Sequence, residues 1–306
     1  MKIFDMFAGY GGAEFALIKA GIKHECVGFS EIDKGAITCF NNNFPNIKNF
    51  GDCTKINSNE IPDFDLLCGG FPCQPFSEAG KHNGELDIRG TLFYDIIRIA
   101  EVKKPKYMLL ENVKGLTFDN HKKTFDKILS ELDRIGYKVY WKVLNSKNHG
   151  TPQSRERIFF VCFRKDIDTG FEFPKEEKLK IFLKDLIEPP AKETMVSIAL
   201  RNKNRSKHQH KGLPYGTFPK EYHYKMNKDI GVSYAVKSAR HEFLIGDLKL
   251  NKRRELTPRE CFRLMGFFND EINLDGLSDT QKYKLAGNGW DINLVSKIFR
   301  RMLKTK

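Results

Sequence analysis

Over the first 165 residues, short apolar runs alternate with stretches of helical periodicity, and few folds accommodate that alternation. Residues 2–7 read as a buried strand, and residues 13–20 as a helix entered through a glycine-rich turn. Residues 24–29 form a second strand pattern and 32–44 a second helix; 66–68, 107–110, 138–144 and 158–163 read as further strands, with helices over 92–101 and 122–135. Strands separated by helices of this length pair in parallel, because the crossover lays each helix on a face of the sheet. The fold class expected is therefore α/β, with a doubly wound, mostly parallel, Rossmann-like sheet.

The pattern weakens beyond residue 188. Pro189-Pro190, Pro214 and Pro219 interrupt any periodicity up to about residue 250, as expected of a second, smaller and irregular lobe with short strands. Thr257 before Pro258 is a helix start, with the cap hydroxyl ahead of a proline at the first helical position. A last helix is expected over 293–303. The expected division is 1–188 for the first domain, 189–284 for the second lobe and hinge, and 285–306 for a helix returning to the first domain. At 306 residues, with 40% hydrophobic and 12% aromatic residues, the chain has material for two cores.

The seven cysteines (Cys26, Cys39, Cys53, Cys68, Cys73, Cys162 and Cys261) are odd in number, with no C-x-x-C pair. That spacing argues against a disulfide framework and a zinc knuckle, and no metal is expected. No apolar run reaches the roughly 18 residues of a membrane span, and Asp5 and the glycines after it stand where a signal peptide would need an apolar stretch. A cytoplasmic location is expected. There are 52 Lys and Arg against 39 Asp and Glu, a net charge of +13. From Arg201 to Arg263 the count is 16 basic against 6 acidic residues, and four of the eight histidines (His208, His210, His223, His241) lie there. Such a block fits a polyanion-facing surface.

Several short segments carry chemistry. Phe7-Ala8-Gly9-Tyr10-Gly11-Gly12 joins the first strand to the first helix, where glycines let a ligand approach backbone and the helix start offers free N–H groups. Its spacing is not the G-x-G-x-x-G of a dinucleotide site. Glu31 and Asp33 follow the second strand and Asp52 stands where a third should end, a row suited to an adenosine-like ligand. In Gly69-Gly70-Phe71-Pro72-Cys73-Gln74-Pro75, two prolines stiffen a turn just past a strand and fix the direction of a thiol, as a nucleophile requires. Glu111 in Glu111-Asn112-Val113 ends an apolar strand, where an acid is costly without a partner or a task. In Gln153-Ser154-Arg155-Glu156-Arg157, alternation puts Arg155 and Arg157 on the same side of an extended stretch.

Taken in order, these segments resemble the DNA cytosine-C5 methyltransferases of the bacterial restriction–modification type. The resemblance continues through Arg254-Glu255-Leu256-Thr257-Pro258-Arg259-Glu260-Cys261, then Arg263-Leu264-Met265-Gly266-Phe267, and ends at Ala286-Gly287-Asn288-Gly289. It covers nearly the whole chain except residues 189–249, the stretch that would read the target sequence. It implies that Cys73 adds to C6 of a cytosine, Glu111 engages N3 and the exocyclic amine, and Arg157 holds O2 and helps place Glu111. Arg155 would lie by the nucleophile and a backbone phosphate. S-adenosyl-L-methionine is the implied cofactor, held by Phe7, Gly9, Gly12, Glu31, Asp52, Pro72, Leu92 and Asn288.

The implied partner is double-stranded DNA with its target base flipped out, contacted by Gln74, Ser77, Lys81 and Arg89 of a glycine-spaced loop over residues 74–90. Lys237, Arg240 and His241 are the expected contacts from the second lobe, with residues 201–224 as the alternative. A cognate restriction endonuclease, a monomeric state and a bacterial or phage-encoded, nucleoid-associated enzyme follow from the same type. Two positions depart from the family pattern: Ile32 stands where an aromatic commonly meets adenine, and Gly289-Trp290 replaces a serine and a β-branched residue. An RNA-modifying relative is disfavoured by Phe71-Pro72-Cys73-Gln74 and Cys261-Phe262-Arg263, a catalytically silent DNA-binding homologue by the presence of Cys73, Glu111 and Arg157, and a dehydrogenase by the glycine spacing.

Overall fold

The computed structural model describes residues 1–71, 92–168, 170–189, 195–200, 224–226, 231–238, 244–247 and 252–303. In chain order its main elements begin with β1 (Lys2–Met6), α1 (Gly12–Ala20), β2 (Glu25–Ser30), α2 (Lys34–Asn43), β3 (Leu66–Gly70) and α3 (Leu92–Lys103). They continue with β4 (Tyr107–Val113), α4 (Lys122–Arg134), β5 (Tyr137–Asn145), β6 (Gln153–Ser154), β7 (Glu156–Arg164) and α5 (Leu183–Leu186). The later elements are β8 (Met195–Leu200), β9 (Tyr224–Met226), β10 (Ser233–Tyr234), β11 (Leu244–Asp247), β12 (Lys252–Glu255), α6 (Pro258–Arg263), α7 (Asp279–Asn288) and α8 (Ile292–Met302).

The chain divides into two compact units. The first comprises Met1–Leu144, Glu156–Pro174 and Ser296–Lys306, and the second Asn145–Arg155 and Lys175–Val295. Residues 188 and 285, where the boundaries are expected, both lie inside the second unit, which also takes in the connection from β5 to β7 and the first four residues of α8.

The first unit is the expected α/β layer. Its six strands run β2-β1-β3-β4-β7-β5; β1 pairs in parallel with β2 and β3, β3 with β4, while β7 runs antiparallel to β4. Ile3, Phe4 and Met6 of β1, Leu66–Cys68 of β3 and Met108–Leu110 of β4 are buried, the continuous apolar reading of strands covered on both faces. On α3, Phe93, Ile96, Ile97 and Ala100 recur at helical spacing and join that core. In the second unit β12-β11-β8-β9 form an antiparallel sheet, and β6 pairs in parallel with β10. The sequence reads this stretch as irregular because its strands are short and β11 pairs with β8, whose partner residues such as Ser197 and Ile245 lie far apart in the chain, which local periodicity does not register.

Beneath the first unit's sheet lies a buried ionisable group of residues. Glu14 of α1 pairs with His24 at 2.8 Å, and His24 also bonds the Ile22 carbonyl at 2.8 Å. Burial pulls the imidazole down, but the Glu14 hydrogen bond, the Ile22 carbonyl and the Glu14 charge together raise its pKa. Asp5 in the middle of β1 is fully enclosed; burial, then the charges of Glu14 and Glu31, push its carboxyl well above the usual range. His24 therefore contributes stability that is complete below the unfolded histidine range of about 6.5 and lost as pH rises through its folded value. The midpoint of thermal unfolding should fall as pH rises above the unfolded histidine range of about 6.5, and His24→Gln should flatten that slope. Equal slopes in wild type and variant, measured by scanning calorimetry, would remove His24 from the pH dependence.

Candidate active site

The first strand hands over to α1 through a turn that ordinary residues resist. Phe7, Gly9 and Gly11 all have positive φ (56°, 57° and 86°), and Gly11 leads directly into the helix. A Cβ placed on Gly9 would meet nothing within 4 Å, so open space lies beside the turn. Glu31 faces the same turn: one of its oxygens accepts from the Gly9 N–H at 2.9 Å, the other from the N–H groups of Ile32 at 2.8 Å and Asp33 at 2.9 Å. Asp33, grouped with Glu31 by its place after β2, instead caps α2 through the Ala36 N–H at 3.0 Å.

Sequence reasoning missed Asn49. Its side chain accepts from Glu31 N at 3.2 Å and Gly51 N at 2.9 Å and donates to Glu31 O at 3.0 Å, tying the end of β2 to the approach of Asp52. The Asp52 carboxylate accepts from the Thr54 hydroxyl at 2.8 Å and its N–H at 3.0 Å, bonds that hold its pKa below the usual carboxylate range. Ile32 is 71% exposed, an aliphatic surface at the rim of the Gly9–Glu31 turn. Gly12 opens α1, and Leu92 opens α3, half-buried against the core. Phe7, Gly9 and Gly12 thus follow the end of β1 and Glu31 the end of β2, whereas Asp52, expected at the end of a third strand, follows only an isolated bridge between Phe29 and Asn49 and caps a short turn over Cys53–Lys55, with β3 beginning at Leu66.

The acid of the candidate site sits at the mouth of β4. Glu111 is 8% exposed, and Arg157 Nε lies 2.9 Å from its carboxylate. The antiparallel ladder sets Glu111 opposite Phe159 and Val113 opposite Arg157, so Glu111 and Arg157 are diagonal neighbours on one face. Arg157 also donates to the Glu156 carbonyl at 2.8 Å, and Glu156 takes the Lys114 ammonium at 3.0 Å. Removing either member of a buried ion pair costs about 3–5 kcal/mol, because the survivor keeps its charge without a partner.

Gly70 at the end of β3 is in register with Glu111. The buried Asn112 donates to the Phe71 carbonyl at 3.2 Å, and the Phe71 ring packs against Phe93 at 5.5 Å. Pro72, Cys73, Gln74, Ser77, Lys81 and Arg89 lie outside the described residues, so the anchored Phe71 is the last one before the thiol. The other six cysteines are buried or half-buried. Burial pushes Cys39 and Cys53 up to about 12, and burial is likewise the leading cause raising Cys26, Cys68, Cys162 and Cys261. None of these six is a thiolate at neutral pH.

Arg155 departs from expectation. It belongs to the second unit and is 2% exposed, with its guanidinium donating to the carbonyls of Val236 at 3.0 Å, Gly287 at 3.1 Å and Gly289 at 2.8 Å. A group enclosed by carbonyls braces its own unit and does not present its charge to a phosphate. Asn288 lies between two of those carbonyls, as the last residue of α7. At Gly289 the contact is made by the backbone carbonyl, and nothing in the structure explains the replacement of a serine there. Lys237 is exposed, whereas Arg240 and His241 are outside the described residues. Arg263 binds Asp270 at 2.9 and 2.7 Å and the Leu186 carbonyl at 3.1 Å. Arg254 grips the wholly buried Glu260 at 2.6 and 2.7 Å, a pair that sequence reasoning did not single out. Among the described residues no cluster of His, Cys, Asp or Glu could hold a metal, and no helix is long and apolar enough to cross a membrane.

Comparison with known proteins agrees with this geometry. Residues 1–304 match the family described as C-5 cytosine-specific DNA methylase. The Type II methyltransferase M.HhaI of Haemophilus parahaemolyticus is 37% identical over 309 residues, covering 97% of this chain and 93% of that protein. The Type II methyltransferase M.NlaX of Neisseria lactamica is 38% identical over 307 residues, covering 98% and 96%. In fold, the chain resembles a DNMT2 mutant of Spodoptera frugiperda, with a TM-score of 0.75 at 21% identity over 99% of both chains. With its glycine turn, its Glu111–Arg157 clamp and a family match along almost its whole length, this chain belongs to the C-5 cytosine-specific DNA methylases and is a DNA (cytosine-5-)-methyltransferase.

Proposed function

We propose that the enzyme methylates C5 of a flipped-out cytosine within a short specific sequence of duplex DNA, using S-adenosyl-L-methionine and a covalent bond between Cys73 and C6 of the base. The observation that carries this reading is the Glu111–Arg157 pair, 2.9 Å apart at the mouth of β4, where Glu111 is in register with Gly70 and Asn112 holds the Phe71 carbonyl two residues before Cys73 in the chain.

The residues present fit the cofactor. The positive-φ turn leaves open space beside Gly9, Glu31 and Asp52 offer carboxylates suited to ribose hydroxyl and ammonium groups, and Ile32 offers an apolar face to adenine. Phe7, Gly12, Pro72, Leu92 and Asn288 complete the set proposed to hold it. When bound, it supplies the electrophilic methyl group.

The protein's own groups supply the rest. Cys73, as thiolate, adds to C6 and breaks the aromaticity of the ring, so that C5 becomes nucleophilic. Glu111 hydrogen-bonds N3 and the exocyclic amine and stabilises the charge that addition places on the ring, while Arg157 holds O2 and keeps Glu111 aligned. After C5 has taken the methyl group, loss of its proton expels the Cys73 sulfur and restores the aromatic ring. Arg155 acts from the second unit as a brace. Gln74, Ser77, Lys81, Arg89, Lys237, Arg240 and His241 are the proposed DNA contacts, and a flipped base costs a few kcal/mol that such contacts offset. The enzyme is proposed to act as a monomer in the bacterial cytoplasm, as one half of a restriction–modification pair with a cognate endonuclease.

Duplex DNA carrying 5-fluorocytosine at the target should trap a covalent complex through Cys73, because fluorine does not leave C5 as a proton does. Peptide mapping should find the adduct there, and Cys73→Ser should form none while still binding DNA; an adduct on any other cysteine would overturn the nucleophile. Glu111→Gln should lower kcat by about 10²–10⁴-fold with a much smaller change in KM. A loss below about tenfold in steady-state assays would make Glu111 a structural acid.

A further inference from the structure

Val236 sits in the exposed-charge segment of the second unit, yet its own backbone is wholly committed. Its N–H donates to Gln153 Oε1 at 2.8 Å and its carbonyl accepts from Arg155 Nη1 at 3.0 Å. The Gln153 amide also donates to the Leu264 carbonyl, and Gln153 and Arg155 are 0% and 2% exposed. Buried polar side chains of this kind persist only when their donors and acceptors are used. The segment is held upstream as well, where β10 pairs with β6 and Ser233 N donates to the Pro152 carbonyl at 2.8 Å. Downstream, the backbone of Lys237 and Ser238 lies directly on Gly287, where a Cβ would overlap the Lys237 carbonyl carbon. The Arg155 guanidinium that grips Val236 bonds Gly287 and Gly289 on either side of Asn288.

We infer that Gln153 and Arg155 are positioning residues for target recognition: they seat the turn over residues 236–238 on Gly287 and so set where Lys237 meets the DNA. The chemistry supports a positional role. Both backbone polar groups of one residue are clamped by side chains two positions apart, and the bare α-carbon of Gly287 lets the clamped backbone close onto α7. The inference rests on the reading of Lys237 as a DNA contact, and it assigns Gln153 and Gly287 to specificity, not to the reacting base.

The test compares wild type with Arg155→Lys, Gln153→Met and Gly287→Ala. Alanine suits the interior of α7, so Gly287→Ala disturbs the seat while leaving the helix favoured. Steady-state kinetics on duplex DNA should show KM for DNA raised by about tenfold, with kcat within about threefold. Bisulfite sequencing of genomic DNA from expressing cells should reveal new methylated sites that differ from the wild-type target at the position relaxed by Lys237→Ala. Thermal unfolding establishes that each variant is folded. Lost kcat with unchanged KM and unchanged sites would overturn the inference, as would no change in any of the three. Should the variants not fold, the wild type alone is decisive. The Val236 amide should exchange with deuterium slowly in the DNA-free enzyme, and exchange at the rate of an unstructured peptide would overturn the clamp. A wild-type enzyme that leaves all cytosines in duplex DNA unmodified would instead overturn the reaction, an outcome seen before any variant is made.

Discussion

The candidate site depends on one strand running against the others. Strands β1 to β4 of the first unit are parallel, so the ends that follow them lie along one edge, with Phe7, Glu31, Phe71 and Glu111 at or next to those ends. A parallel β7 would place its first residues at the opposite edge. Because β7 is antiparallel to β4, its beginning returns to the edge where β4 finishes, and Arg157 reaches Glu111 at 2.9 Å. The mouth of β4 can therefore hold a carboxylate that would otherwise be an uncompensated charge in an apolar wall. Neighbouring groups are satisfied in turn: Asn112 turns inward to the Phe71 carbonyl, and Lys114 neutralises Glu156 at 3.0 Å.

The strained turn after β1 has a comparable logic on the cofactor side. Three positive φ angles within five residues are unfavourable for an ordinary chain, and Phe7, which has a side chain, is the most costly of them. The Gly9 N–H bond to Glu31 and the Asn49 bonds behind it restrain the turn from the neighbouring strand end. The turn is thus shaped before any ligand arrives, which spares the ordering cost at binding.

Most of the first unit was legible because its signals are local. Apolar runs mark the buried strands, 3.6-residue spacing marks α3, and Thr257-Pro258 marks the start of α6, whose cap hydroxyl accepts from Glu260 N at 3.2 Å. The glycine turn and the place of Glu31 after β2 were also readable, since ordered short motifs carry them. Three things were not. The antiparallel sheet of the second unit is built from short strands, and the pairing of β8 with β11 is long-range and leaves no periodic trace. Asn49 and Asn112 act through bonds between strand ends, and an asparagine in a loop reads the same whether it links strands or faces water. Arg155 has the charge and spacing expected near a phosphate, and only its three carbonyl partners reveal that it is interior.

That last difference alters how the motif from Gln153 to Arg157 is understood. As a sequence it reads as one stretch whose two arginines both serve the reacting base, Arg157 at its O2 and Arg155 by the nucleophile and a phosphate. In the structure Gln153 and Arg155 close the segment of the second unit, and Glu156 begins the segment of the first. Arg157 meets a carboxylate whose partner must be charged, so a guanidinium that can also span to a second acceptor suits it. Arg155 meets three carbonyls at separate points of the backbone, and there the fork of five donors matters as much as the charge. A lysine at either place would keep the charge, but at Arg155 it would forfeit simultaneous contact with Val236, Gly287 and Gly289. The two arginines are chemically alike in the sequence, and the groups around them divide their labour: one pairs with the buried Glu111, the other holds the backbone of Val236 next to Lys237.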